Sequence, residues 1–270
     1  MLVAAVQTDI VWHDPAANRA VFERMLDDAR LDGRLDGRLG EGALVVLPEL
    51  GDVGFTVALD EVTPSDAPAW AARTAKARGL AIAVGYPRRA DDGLGRNECA
   101  IARPDGSLSP AYAKVHPFGF GRETEAYRGG ERIVLTTIGP FTVCPLVCYD
   151  LRFPELWRLA TLAGAELFVI GASWPVARQQ HWRALLIARA IENQAYVVAC
   201  NRVGSDPSLR YGGGSIVIGP TGEVLAEAAD EPTLITAECD HEALLAWRRK
   251  FPALRDVHRA LLGDIPVERA

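Results

Sequence analysis

The sequence contains no run of about 20 apolar residues, the length that a membrane-spanning helix needs. Its N-terminus also lacks the basic segment that precedes the apolar part of a signal peptide, and the first apolar stretch soon reaches an acid at Asp9. We therefore expect neither a signal peptide nor a membrane partner, and we predict a cytoplasmic protein.

Blocks of lysine and arginine are missing as well, and the 270 residues carry a formal net charge of −6 at pH 7. Proteins that bind nucleic acids normally present a basic patch to the phosphates. This charge balance argues against a nucleic-acid partner, and it implies no other polyanion.

Cysteine and histidine are few and scattered. The five histidines include no His-x-x-x-His and no other pair of metal ligands, so the sequence predicts no metal site. An odd number of dispersed cysteines suits a reducing compartment better than a set of disulfides. The cysteines are Cys99, Cys144, Cys148, Cys200 and Cys239.

The remaining composition is that of an ordinary globular protein, with 49% hydrophobic and 24% charged residues. A chain of this length can bury a full core, and strand–helix units can repeat over it without a break. We predict a single domain that spans residues 1–270.

Apolar runs typical of strands alternate with amphipathic segments typical of helices, which favours a layered α/β sandwich. The glycines of the Leu-Asp-Gly-Arg repeat in residues 31–40 rule out a regular helix there and predict a solvated connection. Strands are predicted at residues 2–7, 43–47, 80–86, 97–102, 109–115, 141–147, 166–170, 196–200 and 233–238, with a hairpin over 213–228. Helices are predicted at 15–30, 67–78, 181–193 and 241–250, and from 154 onward.

Cys148 lies where a strand is predicted to end and a helix to begin. Residues 141–147 are apolar and β-branched, and Pro154 opens an amphipathic segment. A strand–turn–helix of this kind exposes a nucleophile and leaves a main-chain N–H, here that of Tyr149, facing the atom under attack. A lone cysteine in an apolar run is more often a buried structural residue, so other residues must decide.

Two further residues stand out for their positions. Glu49 follows the strand predicted at 43–47, at the edge where ligands of α/β sheets collect, although such an acid is more often a solvated loop residue or a cap. Lys114 lies among apolar strand residues, so it belongs either to a structural ion pair or to an active site. The glycine-rich segment 118–130 is predicted to be a long loop able to close over a site.

Together, these residues provide what cleavage of a C–N bond requires. A carboxylate such as Glu49 can take the proton of the Cys148 thiol and pass it to the leaving ammonia. Lys114 and the Tyr149 N–H can stabilise the oxyanion of the tetrahedral intermediate. Cys148 paired with His116 or His181 is the obvious rival, but neither histidine stands in a recognisable Cys–His signature.

These segments resemble the Glu, Lys and Cys motifs of the nitrilase superfamily of carbon–nitrogen hydrolases, in that order and over nearly the whole chain. The resemblance implies an α/β fold, specifically a four-layer αββα sandwich, with Glu49, Lys114 and Cys148 as the catalytic set. It also implies no cofactor and a homodimer. A second family glutamate, in the loop after the lysine, is best matched by Glu123, with Glu125 as the alternative.

Within the superfamily, segments such as Ser-Trp-Pro at 173–175 and Cys-Asn-Arg-Val-Gly-Ser-Asp at 200–206 are most similar to the bacterial omega-amidases. That branch releases ammonia from oxo-acid amides such as 2-oxoglutaramate or 2-oxosuccinamate. The resemblance implies that Arg152 contacts the substrate carboxylate, Trp174 walls the pocket and Arg178 adds a second charge contact. The repeat in residues 31–40 and the His-Pro-Phe-Gly-Phe-Gly loop depart from the branch.

Other functions remain open at this stage. A sister amidase acting on deaminated glutathione or on N-carbamoyl compounds would use the same catalytic groups. A true nitrilase acting on nitriles is a further alternative. A catalytically silent binding or scaffold protein with this fold is the alternative from a different class, and the joint presence of Glu49, Lys114, Glu123 and Cys148 argues against it.

Overall fold

A computed structural model describes residues 1–31 and 43–270 of the chain. Apart from Leu31, which ends the first helix, the predicted solvated repeat of residues 31–40 lies outside these described residues. Within the described ranges the backbone forms a mixed α/β structure with two large sheets.

The described residues form the following strands and α-helices. The strands are β1 (Leu2–Gln7), β2 (Leu44–Val46), β3 (Ala81–Arg89), β4 (Gly95–Ala102), β5 (Tyr112–Ala113), β6 (Ile133–Ile138), β7 (Phe141–Val147), β8 (Leu167–Ala172), β9 (Tyr196–Asn201), β10 (Val203–Ser205), β11 (Arg210–Gly212), β12 (Ile216–Ile218), β13 (Val224–Glu227), β14 (Thr233–Glu238) and β15 (Val267–Arg269). The α-helices are α1 (Pro15–Leu31), α2 (Leu59–Val62), α3 (Ala67–Arg78), α4 (Glu123–Ala126), α5 (Pro154–Leu162), α6 (Gln179–Asn193) and α7 (His241–Lys250).

Each large sheet has parallel strands at its centre. The first sheet has the order β14-β1-β2-β3-β4-β5, in which β1, β2 and β3 are parallel. The second has the order β13-β12-β9-β8-β7-β6-β15, in which β7, β8 and β9 are parallel. Parallel strands bury side chains on both faces, so their sequences are continuous apolar runs. These runs are the pattern from which the central strands were predicted.

The two sheets pack face to face, and helices cover both outer faces. Successive side chains along a strand face opposite sides of the sheet. In the first sheet, one set of side chains therefore faces the second sheet and the other set faces α1 and α3. Helices α5 and α6 pack on the far side of the second sheet. The result is the four-layer αββα sandwich that the resemblance implied. Its outer core against α1 and α3 includes Val6, Phe22, Leu26, Val45, Trp70, Ala71, Ile82 and Ala100.

Gly171 in β8 lies directly against the backbone that follows β2, beside the site. A Cβ atom at this position would lie 2.6 Å from the carbonyl oxygen of Leu47 and 3.0 Å from the main-chain nitrogen of Glu49. These atoms belong to the backbone after β2, which cannot rotate away as a side chain can. Gly171 therefore permits the segment that carries Glu49 to lie directly against β8.

We expect Gly171→Ala to destabilise the protein by about 1–3 kcal/mol, because the added methyl forces the two sheets apart. Gly263→Ala is the matched control, since no atom lies within 4 Å of its Cβ position and its φ is not left-handed. Urea denaturation of both variants measures the difference. Equal stabilities would show that the sheets tolerate the methyl group.

The structure differs from the predicted elements in several places. The elements that were not predicted are β6, β10, β11, β15 and the short helix α2. The strand predicted over 109–115 shrinks to the two residues of β5, since Pro110 has no N–H to donate to a sheet. The loop predicted over 118–130 contains a 3₁₀ turn, Gly119–Gly121, and the short helix α4.

Candidate active site

Cys148 stands immediately after β7, on a backbone turned sharply out of the sheet. Its φ is 43°, in the left-handed region that non-glycine residues seldom adopt, and residues Cys148–Arg152 form a 3₁₀ turn that leads into α5 at Pro154. A strained strand-to-helix turn of this kind presents a nucleophile at the end of a parallel sheet. The thiol is 9% exposed and lines a cavity open to solvent.

Lys114 lies between two carboxylates at the floor of this cavity. Its Nζ donates to Glu49 Oε1 at 2.7 Å and to Glu123 Oε2 at 2.8 Å. All three side chains are at most 1% exposed, so the ion pairs are shielded from water. Burial of this triad is tolerated because each charge has charged and hydrogen-bonded partners.

Further hydrogen bonds fix the two glutamates. The Asn97 side-chain amide donates to both carboxylates at 2.9 Å. The main-chain N–H of Ser173 donates to Glu49 Oε2 at 3.1 Å, and that of Phe118 donates to Glu123 Oε2 at 2.6 Å. Elements from both sheets and from the loop after β5 thus converge on the glutamates, and their orientation is set before any ligand binds.

The environment changes the ionisation of the thiol and the ammonium. Burial, and then the negative charge of Glu49, raises the pKa of Cys148 well above its usual value. Burial by itself would lower the pKa of Lys114, but Glu123 and Glu49 outweigh it and raise that pKa well above normal. In the resting protein the thiol is therefore protonated and Lys114 is charged. Cys148 needs an adjacent base to become a nucleophile, and the Glu49 carboxylate stands beside it.

Asp150 joins the turn that carries Cys148 to the segment that carries Lys114. It is fully buried, and its carboxylate accepts hydrogen bonds from the Tyr112 hydroxyl at 2.7 Å and from the Val147 N–H at 3.2 Å. The same carboxylate lies 3.0 Å from the His116 main-chain nitrogen and 2.9 Å from its Nδ1. Hydrogen bonds through Asp150 therefore connect the segment around Lys114 to the turn around Cys148.

The outer part of the cavity is aromatic and positively charged. The Arg152 guanidinium carbon lies 4.7 Å from the ring centroid of Trp174, and that of Arg178 lies 5.3 Å from the ring centroid of Phe118. Among the described residues, no carboxylate lies within ion-pair distance of either arginine. The cavity is lined by Glu49, Phe55, Lys114, Phe118, Cys148, Tyr149, Arg152, Ser173, Trp174, Pro175, Arg178 and Leu209.

The neighbours of each arginine define its setting. Chiefly through burial, and also through repulsion by Arg178, the pKa of Arg152 is lowered. Arg152 does not pair with Asp150 or Glu155, the partners that a purely structural role would give it; its Nη2 lies 3.4 Å from His181 Nδ1. The indole N–H of Trp174 donates to the Arg178 carbonyl, which holds the ring face beneath Arg152.

The structure brings the predicted catalytic residues together in one cavity. The alternative residues, Glu125, His116 and His181, lie outside it. Glu123 contacts Lys114, whereas Glu125 is exposed and pairs with Arg122. His116 binds Asp150 and stacks on Phe153, and neither it nor His181 lines the cavity. The main-chain N–H of Tyr149 follows the thiol directly, and Tyr149 lines the cavity.

Three polar contributors to the site were not among the predicted residues. Asn97 lies within a strand, where a polar residue is usually taken for one that faces water. Ser173 acts through its main chain, to which residue type gives no clue. No role was predicted for Asp150. Its place two residues after the cysteine was the one signal that could have singled it out.

Over residues 1–31 and 43–270, no group of three or more His, Cys, Asp or Glu side chains is placed to hold a metal ion. In the same ranges, none of the helices combines the length and apolar character needed to cross a membrane.

Comparisons with known proteins identify the family. The carbon-nitrogen hydrolase family model matches residues 2–249. The chain is 37% identical to a 2-oxoglutaramate amidase from Bacillus subtilis, over 96% of this chain and 98% of that protein. It is 38% identical to the omega-amidase YafV from Escherichia coli K12, over 94% of this chain and 95% of that protein.

Solved structures show the same likeness. A carbon–nitrogen hydrolase superfamily protein from Xanthomonas campestris, XC1258, with an arsenic adduct in its active site, superposes with a TM-score of 0.87 at 35% identity. The match covers 97% of this chain and 99% of that one. A variant of the Nesterenkonia sp. AN1 amidase, in which acrylamide has added to the active site cysteine, matches at a TM-score of 0.79 and 26% identity, over 94% and 98% of the chains. The chain belongs to the carbon-nitrogen hydrolase family, within the omega-amidase branch of the nitrilase superfamily.

Proposed function

We propose that the chain is a cofactor-independent amidase that hydrolyses the terminal amide of a small 2-oxo acid, such as 2-oxoglutaramate or 2-oxosuccinamate, through a thioester on Cys148. The observation that carries this proposal is a single cavity with two different ends. One end holds a thiol beside the buried Glu49–Lys114–Glu123 cluster, and the other holds two arginines that have no carboxylate partner within residues 1–31 and 43–270.

The first half-reaction forms the thioester. The Cys148 thiol gives its proton to Glu49 while the sulfur bonds to the amide carbon, and the carbonyl electrons move onto oxygen. Lys114 and the Tyr149 N–H stabilise this oxyanion, and Glu123 holds Lys114 in place. As the C–N bond breaks, Glu49 returns the proton to the nitrogen, which leaves as ammonia.

The second half-reaction uses the same groups in reverse roles. Water gives a proton to Glu49 as its oxygen attacks the thioester carbon, and Lys114 again stabilises the oxyanion. The C–S bond then breaks, the proton returns to the sulfur of Cys148, and the free acid leaves. The high pKa of the thiol favours its recapture of the proton and completes the cycle.

The charged end of the cavity recognises the substrate. Arg152 can bind a carboxylate with two N–H groups, and its stacking on Trp174 fixes the plane of the guanidinium. Arg178 adds a second positive charge, and the guanidinium groups of Arg152 and Arg178 repel each other. An anionic substrate bound between them offsets this repulsion. Binding at this end would place the amide carbon over Cys148.

A substrate panel with ammonia detection tests the proposal. It includes 2-oxoglutaramate, 2-oxosuccinamate, neutral amides of the same length, deaminated glutathione, N-carbamoyl amino acids and nitriles. We expect the two oxo-acid amides to give the highest kcat/KM. Preference for deaminated glutathione or carbamoyl compounds would favour a sister amidase, preference for nitriles would favour a nitrilase, and no turnover of any member would favour a binding protein.

We expect Arg152→Ala to erase most of the preference for anionic over neutral amides, by about 2–4 kcal/mol in kcat/KM, because it removes a charge-assisted and partly desolvated contact. Arg183→Ala is the matched control, since Arg183 pairs with Glu227 on the surface. The measurement is kcat/KM for 2-oxoglutaramate and for a neutral amide of equal length. Unchanged discrimination in the Arg152 variant would contradict the proposed binding mode.

On the resemblance to the family, we also propose that the active form is a cytoplasmic homodimer built from one domain per chain. All five cysteines are unpaired and buried, which suits a reducing compartment. Sedimentation equilibrium of the purified protein measures the oligomeric state, and a monomer at micromolar concentration would contradict the dimer.

A further inference from the structure

We propose that Asn97 sets the charge state of the active site: its side-chain amide keeps Glu49 and Glu123 ionised, and thereby keeps Glu49 able to accept the Cys148 proton. The inference rests on the function proposed above for Glu49 and Cys148. Asn97 is a positioning residue in this scheme, since it acts on the thiol through Glu49.

Asn97 contacts every charged member of the buried cluster. It lies in β4 and is 2% exposed, and its Nδ2 is 2.9 Å from both Glu49 Oε1 and Glu123 Oε1. Its main-chain oxygen accepts the N–H of Lys114 at 2.8 Å. A primary amide has two N–H donors, and here one is directed to each carboxylate.

The charge of the cluster explains why these donors matter. Two carboxylates share one ammonium, so the cluster carries one excess negative charge in a site that water does not screen. Carboxylates that share a buried site oppose each other's ionisation, and one of them tends to take up a proton. Hydrogen bonds donated to the charged form counteract this tendency, and Lys114 alone supplies only one positive charge.

The other end of the Asn97 amide is consistent with this role. Its Oδ1 is buried and has no hydrogen-bond partner among the described residues. A buried acceptor without a partner is unfavourable and requires an explanation. Reversing the amide would place that oxygen against two carboxylates, so the negative charge of the glutamates accounts for the orientation.

The pH dependence of activity reports on this charge state. The titratable groups that interact with Glu49 are Lys114, Glu123, Cys148, Tyr127 and Tyr211. Burial raises the pKa of both tyrosines far above neutrality, so neither takes part near pH 7. Loss of the Asn97 donors should therefore let the cluster bind a proton at higher pH, and the acidic limb of kcat/KM should move upward.

Two substitutions separate the effect of charge from the effect of shape. Asn97→Leu removes both donors, together with the unpartnered oxygen, and fills a similar volume. Asn97→Asp keeps the shape but adds a third carboxyl group. If Asn97 only filled space, the Asp variant would be the milder one. We expect the reverse order, with kcat/KM reduced about 10-fold to 100-fold in the Leu variant, its acidic limb raised by about one pH unit, and the Asp variant less active still.

The experiment combines kcat/KM for 2-oxoglutaramate across pH with substrate-free infrared difference spectra, in which a protonated carboxyl group gives its own carbonyl band. We expect that band to persist to higher pH in Asn97→Leu than in the parent. Asn193→Leu is the matched control. Asn193 is also buried, and its Oδ1 likewise has no partner among the described residues, but it lies in α6 and donates to the Arg189 carbonyl. Its pH limb and infrared titration should equal those of the parent.

The outcomes are distinct. A Leu variant with the parent's pH limb and infrared titration would overturn the inference, and so would an Asp variant more active than the Leu variant. Should the Leu variant fail to fold, the isosteric Asp variant still decides, because parental activity in it would overturn the inference. If the infrared titration shifts in the Leu variant but the parent protein hydrolyses no amide, the role of Asn97 is supported and the proposed function is rejected.

Discussion

Cys148→Ala is expected to abolish ammonia release, by on the order of 10⁴-fold or more in kcat, because it removes the thiol that forms the acyl intermediate. The fold should persist, since the substitution removes one sulfur atom from a turn that β7 and α5 hold at both ends. We expect mass spectrometry of the parent enzyme, quenched during turnover, to show the substrate acyl group on the peptide that contains Cys148.

The other cysteines provide the controls. Cys144 lies in β7 four residues before the nucleophile, and Cys200 and Cys239 are equally buried, yet none lines the cavity. Burial raises the pKa of Cys200 and of Cys239 to about 12, so both stay protonated and unreactive. Their alanine variants should keep kcat within about twofold of the parent, with small losses of stability from the cavities created. Ordinary turnover by Cys148→Ala would show that the proposed mechanism is wrong.

Lys114→Met should eliminate activity and lower the free energy of unfolding by about 3–5 kcal/mol at neutral pH, because two buried carboxylates then lack their counter-ion. Folding of this variant should be coupled to proton uptake, since one carboxylate must become neutral. Its stability deficit relative to the parent should therefore shrink as the pH falls. Urea denaturation at several pH values measures this change.

Two further variants sharpen the test of Lys114. Lys114→Arg should not restore turnover, because a planar guanidinium cannot replace a compact ammonium between two carboxylates only 2.7 and 2.8 Å away. Lys76→Met removes an exposed lysine of α3 and should leave both activity and stability near those of the parent. A Lys114→Met protein as stable as the parent at neutral pH would contradict the ionised cluster.

Local patterns in the sequence were sufficient for the elements around Cys148. The apolar run of β7 and the proline that starts α5 bracket the thiol; β7 has the predicted boundaries, and α5 begins at the predicted residue. The helix α3 also begins and ends as predicted, with Gly79 in the left-handed conformation after its last residue. In each case a residue with a strong conformational preference marks the boundary.

Contacts between distant segments were not predictable in this way. Glu49 and Lys114 are 65 residues apart, and each follows a strand of the first sheet, β2 and β5. Their meeting depends on the order of the strands in that sheet. These residues were chosen from their positions along the predicted strands and then from the family resemblance. Their catalytic roles stay predictions, as does the single domain. Asn97 was missed because hydrophobic periodicity identifies the buried face of a strand from its apolar residues. It gives no sign that a polar residue is buried as well.

The position of β14 has a consequence for how the chain acquires its structure during synthesis. Leu2 in β1 pairs with Glu238 in β14, so strands from opposite ends of the sequence lie side by side in the first sheet. Until the ribosome has produced β14, one edge of β1 has no hydrogen-bonding partner, although Val3 to Val6 are fully buried in the finished protein. Strand pairings between residues this distant in sequence slow folding. Until they form, unpaired strand edges can hydrogen-bond to other chains and cause aggregation. Nascent chains that stop before residue 233 should therefore be clients for chaperones, and a fragment that lacks β14 should aggregate when expressed alone.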